Sequence, residues 1–328
     1  MILNAEYHAN LQVEANPSRK DAKDNVIFAR VAGYLLLELY GRRMTLSDEP
    51  ASSLVSQLLS RSEEGKCGHD VVFEVGKWHH DYLLRRFRAS TTKYPTPSSH
   101  PSRPSIDTWK DMTRDCMMAD GKDYWTARRK ALARDSFRRL LIGSFDRTSI
   151  QRSRELRQIC LDLGTTSVTV HACHIWNESR IQGINPLEGS EKSQNGIHNL
   201  GNILSLESNV HQYFEKLELW FEGTNEPNRY HVLHVRYLRK FEHLHADGDH
   251  TFVTFSPSPH YEGARLPNPQ LLALHAACAR VAHMSGAAEA FDELEREVEE
   301  TNLLASDGSS AYPLDHLMSL FATIPGVA

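Results

Sequence analysis

Apolar positions recur at three- and four-residue spacing over 22–45, where Val26, Ala29, Gly33, Leu36, Leu37 and Tyr40 share one broad face, and this spacing predicts a helix. Ser52 or Ser53 is placed to cap a second, shorter helix through Leu59. A third, over 70–87, carries Val71, Val75, Trp78, Tyr82 and the Leu83-Leu84 pair, and its basic end, Arg85-Arg86-Phe87-Arg88, suits a helix C-terminus. The stretch before them, Met1 to Asp21, is polar and mixed in charge. Pro95, Pro97, Pro101 and Pro104 then fall among serines and threonines, which disfavours helix and marks 91–105 as a linker.

Beyond the linker the period changes. A helix is expected over 123–137, a short strand and turn at Leu140-Leu141-Ile142-Gly143, and a helix from Gln151 to Leu163 ended by Gly164. Thr165 to Ile175 alternates and is rich in β-branched residues, so it reads as a strand. Trp176 to Leu200 has no period and reads as a long loop, of the kind that often carries function. A helix beginning near His211 and fading near Lys216, strands at 217–222 and 230–236, a further strand at 251–255, and helices opened by Pro269 and centred on Phe291, Leu294 and Val298 complete the pattern. The class is therefore α+β: a helical N-terminal module over 1–90, the linker 91–105, a mixed domain over 106–305 and a tail over 306–328.

Composition narrows the function. Apolar residues at 40% and charged ones at 24% are those of an ordinary globular protein with enough chain for a real core. No signal sequence and no membrane-spanning run is evident, so an intracellular setting, nucleus or cytoplasm, is expected with no membrane partner. The five scattered cysteines argue against a disulfide frame or zinc ribbon. The net charge of −5 gives no support to nucleic-acid binding as a whole. Between Lys122 and Arg154, however, ten Lys or Arg stand against three Asp, and Arg128-Arg129-Lys130 is the densest part of a run that could meet a phosphate backbone.

Three residues between Val168 and Phe221 carry the chemistry. His174 closes the alternating strand, Asn202 follows the long loop, and His211 comes nine residues later at the start of a helix. Two imidazoles so disposed suit phosphodiester cleavage, one taking a proton from water and the other fixing a metal ion against the phosphate. Taken singly, His171 and His198 read as hydrogen-bonded structural residues, and Trp220 and Phe221 as core aromatics. The cluster His231, His234, His243, His245 and His250 has no regular ligand spacing.

Ala172-Cys173-His174-Ile175, then Asn202-Ile203-Leu204-Ser205-Leu206 through His211, then Leu217-Glu218-Leu219-Trp220-Phe221-Glu222, preceded by Arg134-Asp135-Ser136-Phe137-Arg138, together resemble the HNH endonuclease family in the form found in many fungal proteins. Leu274-His275-Ala276-Ala277-Cys278 is similar to the helical tail of that branch. The resemblance, over about 120–305, implies a ββα-metal finger holding one divalent ion (Mg, Mn, Ni or Zn) and a hydrolase acting on nucleic acid, DNA ahead of RNA. It implies His174 as general base, His211 as metal ligand and Asn202 as the side chain bracing the loop. The residue before the base, usually an acid that completes the metal site, is Cys173 here, which leaves Cys173 and His171 as competing second ligands. A finger kept for structure alone, binding nucleic acid or a protein, is the alternative.

Overall fold

The structure is a computed structural model that describes residues 1–63, 66–88, 106–119, 123–141, 143–176, 198–235 and 252–300. The chain is α+β and divides into two compact units, residues 1–85 with 280–328, and residues 86–279. The linker expected over 91–105 and the tail over 306–328 lie outside the described residues. No helix among the described residues is long and apolar enough to cross a membrane.

The first unit is helical: α1 (Ile2–Ala15), α2 (Lys20–Gly41), a short α3 (Arg43–Leu46), α4 (Glu49–Glu63) and α5 (Gly68–Trp78), the last running on through a π-helical segment, His79–Leu84, into α6 (Arg85–Phe87). α1 buries Ala5 and Ala9, and α2 buries Ala22, Ala29 and Ala32 beside Val26 and Leu35. Alanine faces give almost no hydrophobic periodicity, which is why the first twenty residues read as merely polar. Small residues also set the spacing between helices. A Cβ on Gly76 would sit inside the van der Waals envelope of the Phe28 carbonyl oxygen, so α5 can approach α2 only with glycine there. Residues 280–300 cluster with this unit, although the mixed domain was expected to run over 106–305. The reason is specific packing: Phe291 stacks on His80 with ring centroids 4.6 Å apart, and Arg280 donates to Glu38 at 2.7 Å.

The second unit holds the sheets. After α7 (Trp109–Met117) and α8 (Tyr124–Arg134) come β1 (Phe145–Asp146), α9 (Arg147–Arg152), α10 (Arg154–Asp162), β2 (Ser167–Val168) and β3 (Val170–His174). The strand expected at 140–143 is a turn among its described residues, and the chain extends only at β1. Then β4 (Ile203–Glu207) runs directly into α11 (Ser208–Glu215), followed by β5 (Leu219–Gly223), β6 (Arg229–His234), β7 (Phe252–Thr254) and the start of α12 (Pro269–Ser285); α13 (Ala287–Glu300) lies in the first unit. β1 and β2 pair in parallel, β3 and β4 antiparallel, and β5-β6-β7 form an antiparallel sheet. One core gathers Met112, Leu132, Phe137, Phe145, Leu156 and Val170; a second joins Ala127 and Ala131 of α8 to Ala172 and Ile203 of the strand pair.

His275, fully buried on α12, stacks flat on Phe214 at 3.7 Å and its Nε2–H donates to the Phe214 carbonyl at 3.1 Å. Burial pushes its pKa down to about 3, opposed by that hydrogen bond. Because the folded pKa lies below the unfolded value, the fold favours neutral imidazole. The stabilisation is complete above about pH 6.5 and is lost as pH falls toward the folded pKa. The melting temperature is therefore expected to fall on acidification below about pH 6.5, and to fall less in His275→Leu. Equal pH dependence in the two proteins would take His275 out of the acid response. Gly76→Ala is expected to cost about 1–3 kcal/mol through overpacking, read as a lower melting temperature by circular dichroism; an unchanged melt would mean that α2 and α5 do not meet so closely.

Candidate functional site

The site is built on β3, β4 and α11. Backbone pairing sets His174 opposite Ile203 and Val170 opposite Glu207, and α11 follows β4 with no intervening loop. α8 fixes the other side of β3: the Ala172 N–H donates to the Tyr124 hydroxyl at 3.3 Å, and Arg128 Nε donates to the Val170 carbonyl at 2.7 Å. Asp146, fully buried, ties this corner together. It accepts from Arg128 at 2.6 Å, from the Val170 N–H at 3.2 Å, and from the backbone and hydroxyl of Ser149 at 2.9 and 2.8 Å.

Asn202 lies just before β4 and is buried. Its amide bridges to the strand end on both sides, Oδ1 accepting from Trp176 N at 2.8 Å and Nδ2 donating to Trp176 O at 2.9 Å, while the Ile175 N–H donates to the Asn202 carbonyl at 2.9 Å. A side chain that is donor and acceptor at once is what two parallel backbone bonds require, and Asp could supply only one of them. The three bonds fasten the chain immediately after His174.

Four imidazoles and one carboxylate gather here. His174 Nε2 lies 3.0 Å from His198 Nδ1, so one ring donates and the other accepts. His211 Nε2 lies 3.1 Å from Glu215 Oε1, both side chains largely buried and one helical turn apart on α11. The His171 ring is 5.9 Å from that of His211, and its Nε2 meets the Ser208 hydroxyl at 2.9 Å. Burial lowers the His174 pKa to about 4, helped by repulsion from His198 and His211 and opposed by Glu215. Burial likewise lowers His171, with His211 and Arg128 acting in the same sense. Both rings are thus pushed toward the neutral form.

Cys173 is held in its protonated form. It is fully buried, sits opposite Leu204, and its Sγ–H lies 3.8 Å from the His174 carbonyl. Burial, and secondarily the charge of Glu215, pushes its pKa well above the usual thiol range, so it stays protonated.

The basic run turns largely inward. Arg128 is bonded to Asp146 and Val170, and Arg129 donates to Asp115 at 2.7 Å, an acid that also receives Arg152. Arg134 pairs with Asp135, Arg139 with Glu207 and Arg154 with Asp107. Six of the ten basic residues of that run therefore have an acidic partner within the chain. Lys130 is half-buried and makes no ion pair among the described residues, so of the three candidates it alone keeps its charge for another molecule.

Sequence spacing did not single out Glu215, although a His and a Glu four residues apart on a helix were a readable signal. His198 emerges as a partner of His174, and Tyr124 and Asp146 as supports that only tertiary structure brings to β3. His243, His245 and His250 lie outside the described residues. Among the described residues no group of three or more His, Cys, Asp or Glu could hold a metal ion; His211 and Glu215 form a two-donor pair. No family model matches the chain, and no curated protein or solved structure matches it.

Charge reversal separates the roles of the basic residues. Arg128→Glu leaves Asp146 facing a like charge inside the protein and is expected to cost about 3–5 kcal/mol, seen as a large drop in melting temperature. Lys130→Glu is expected to shift the melt by no more than about 0.5 kcal/mol. Comparable melts for the two variants would mean that the Arg128–Asp146 pair does not support β3.

Proposed function

We propose that the chain is a metal-dependent endonuclease of the HNH type, hydrolysing phosphodiester bonds in nucleic acid, DNA ahead of RNA. One observation carries the reading: a strand pair and the helix that follows it hold a neutral, largely buried His174 within electrostatic reach of the His211–Glu215 pair. His174 is the general base. It takes a proton from a water aligned with the phosphorus as the new P–O bond forms and the bond to the 3′ oxygen breaks, leaving a 5′-phosphate. Asn202 positions it by holding the Ile175–Trp176 backbone. That restraint matters because a displacement of ~1 Å can cost on the order of a hundredfold in rate.

His211 and Glu215 are the residues that would hold a divalent ion, one nitrogen and one carboxylate oxygen 3.1 Å apart on α11. When bound, the ion would supply Lewis-acid stabilisation of the phosphate and the leaving oxygen. Glu215 takes the place first considered for Cys173, whose thiol is buried and protonated. Nitrogen-and-oxygen donors of this kind suit Mn, Ni or Zn, and a hydrated Mg ion with fewer protein bonds. An intracellular setting, nucleus or cytoplasm, is part of the same proposal.

A second reading, a non-catalytic finger that binds nucleic acid or a protein, is favoured by the same Cys173 and by the lack of a third ligand among the described residues. Plasmid nicking separates the two. With Mg²⁺, Mn²⁺, Ni²⁺ or Zn²⁺ present, the parent protein is expected to convert supercoiled to open-circular DNA, and EDTA to stop it. His174→Ala is expected to slow nicking by about 10²–10⁴-fold while leaving the melting temperature and DNA affinity nearly unchanged. A parent inactive with every metal favours the binding module, and equal rates for parent and variant remove His174 from the mechanism.

A further inference from the structure

His174 is addressed twice by one short turn. Asn199 opens that turn: its side-chain oxygen accepts from the Gly201 N–H at 2.8 Å, and its carbonyl accepts from the Asn202 N–H at 2.8 Å. Leu200–Asn202 then make a single tight helical turn into β4. Asn202, at the far end, grips the backbone just beyond His174. His198, at the near end, reaches the ring itself, its Nδ1 lying 3.0 Å from His174 Nε2. The two ring planes are tilted by 55° with centroids 5.1 Å apart, so they meet through their nitrogens and do not stack. The Tyr124 ring lies 6.4 Å from that of His174, but its hydroxyl is taken by the Ala172 N–H. Among the described residues, His198 is the hydrogen-bond partner that the His174 ring has.

We propose that His198 is a positioning residue: by accepting through Nδ1 it keeps the His174 proton on Nε2 and leaves the His174 Nδ1 lone pair as the base. This assignment rests on the nuclease reading of the same site and names the atom that reading needs. A neutral imidazole carries its proton on one nitrogen and its lone pair on the other, and the bond made at one nitrogen decides which. If His198 donated, His174 would spend its lone pair at Nε2 and keep its proton on Nδ1. Nothing would then remain on the ring to take a proton from water. With His198 accepting, the water proton passes to His174 Nδ1 while the water oxygen bonds to phosphorus and the bond to the 3′ oxygen breaks. The Nε2–H stays between the two rings throughout. His174 has meanwhile become an imidazolium, and a hydrogen bond from a charged donor is roughly twice as strong as one between neutral groups. The contact therefore tightens as the transition state forms, so it acts on kcat and not on the affinity for nucleic acid.

Two measurements on the full-length chain test it together. The first is a long-range proton–nitrogen correlation spectrum of metal-free protein carrying nitrogen-15 histidine, with the His174 signals assigned by their loss in His174→Ala. The parent is expected to show His174 protonated on Nε2 with a bare Nδ1, and His198→Phe to lose that preference. The second is the kinetics of DNA nicking. His198→Phe is expected to lower kcat by about ten- to a hundredfold, the worth of one hydrogen bond to a charged group, with KM unchanged. His198→Asn, whose side-chain oxygen can stand where Nδ1 stood, is expected to restore both the tautomer and most of kcat. A parent whose His174 proton sits on Nδ1 overturns the proposal. So does a parent that nicks DNA, loses nicking in His174→Ala and keeps its kcat in His198→Phe, an outcome that leaves the nuclease reading standing. A parent inactive with every metal removes the nuclease reading and the role of His198 with it.

Discussion

Arg134 and Asp135 pair inside the second unit with 0% and 3% of their side chains exposed, and the rest of the site depends on how that guanidinium is spent. Two of its bonds go to Asp135, at 2.6 and 2.7 Å. The others hold backbone: the Leu200 carbonyl at 2.8 Å and the Ile203 carbonyl at 3.0 Å. Those carbonyls flank the turn at Leu200–Asn202 that launches β4, and Ile203 is the residue opposite His174. Taking such a charge out of water costs several kcal/mol, which only dense hydrogen bonding offsets. Lysine could not serve, because a point charge cannot reach a bidentate carboxylate and two carbonyls from one rigid fork. The clamp thereby fixes the register on which the histidine cluster relies.

Two imidazoles of that cluster are pushed toward the neutral form by their own burial. His174 and His171 are both pushed toward the uncharged form, chiefly by burial and then by one another's neighbours. An uncharged ring offers a lone pair without repelling a cation, which both proton transfer and metal ligation require. Glu215 is the compensating negative charge, acting on His171, His174 and Cys173 alike. Its effect on the cysteine is opposite in use, since it helps keep the thiol protonated and out of the chemistry.

How much of this was legible beforehand follows from the range of each interaction. β3 and α11 could be read because alternation and the nine-residue step from Asn202 to His211 are local, whereas β4 is buried on both faces, does not alternate and was implied only by the family resemblance. α1 could not, because its inward face is alanine and its packing partner is a helix rather than a hydrophobic pattern. The inward turn of Arg128 was invisible, since Asp146 and Val170 meet it only in the folded chain, and a charge count sees all ten basic residues alike. The membership of the C-terminal helix was equally hidden: Arg280 finds Glu38 across most of the sequence, and no periodicity records a contact at that separation. Glu215 was within reach, its four-residue spacing from His211 being a local signal that draws notice once the helix is placed.

We propose His211 and Glu215 as the cation-binding pair of a nuclease site. Calorimetric titration of Mn²⁺ into metal-free protein tests it without requiring turnover. One site per chain is expected in the parent, and loss of that heat in both His211→Ala and Glu215→Gln with the fold intact by circular dichroism. Binding of unchanged strength in either variant, or no binding in the parent with Mn²⁺, Ni²⁺ or Zn²⁺, would contradict it.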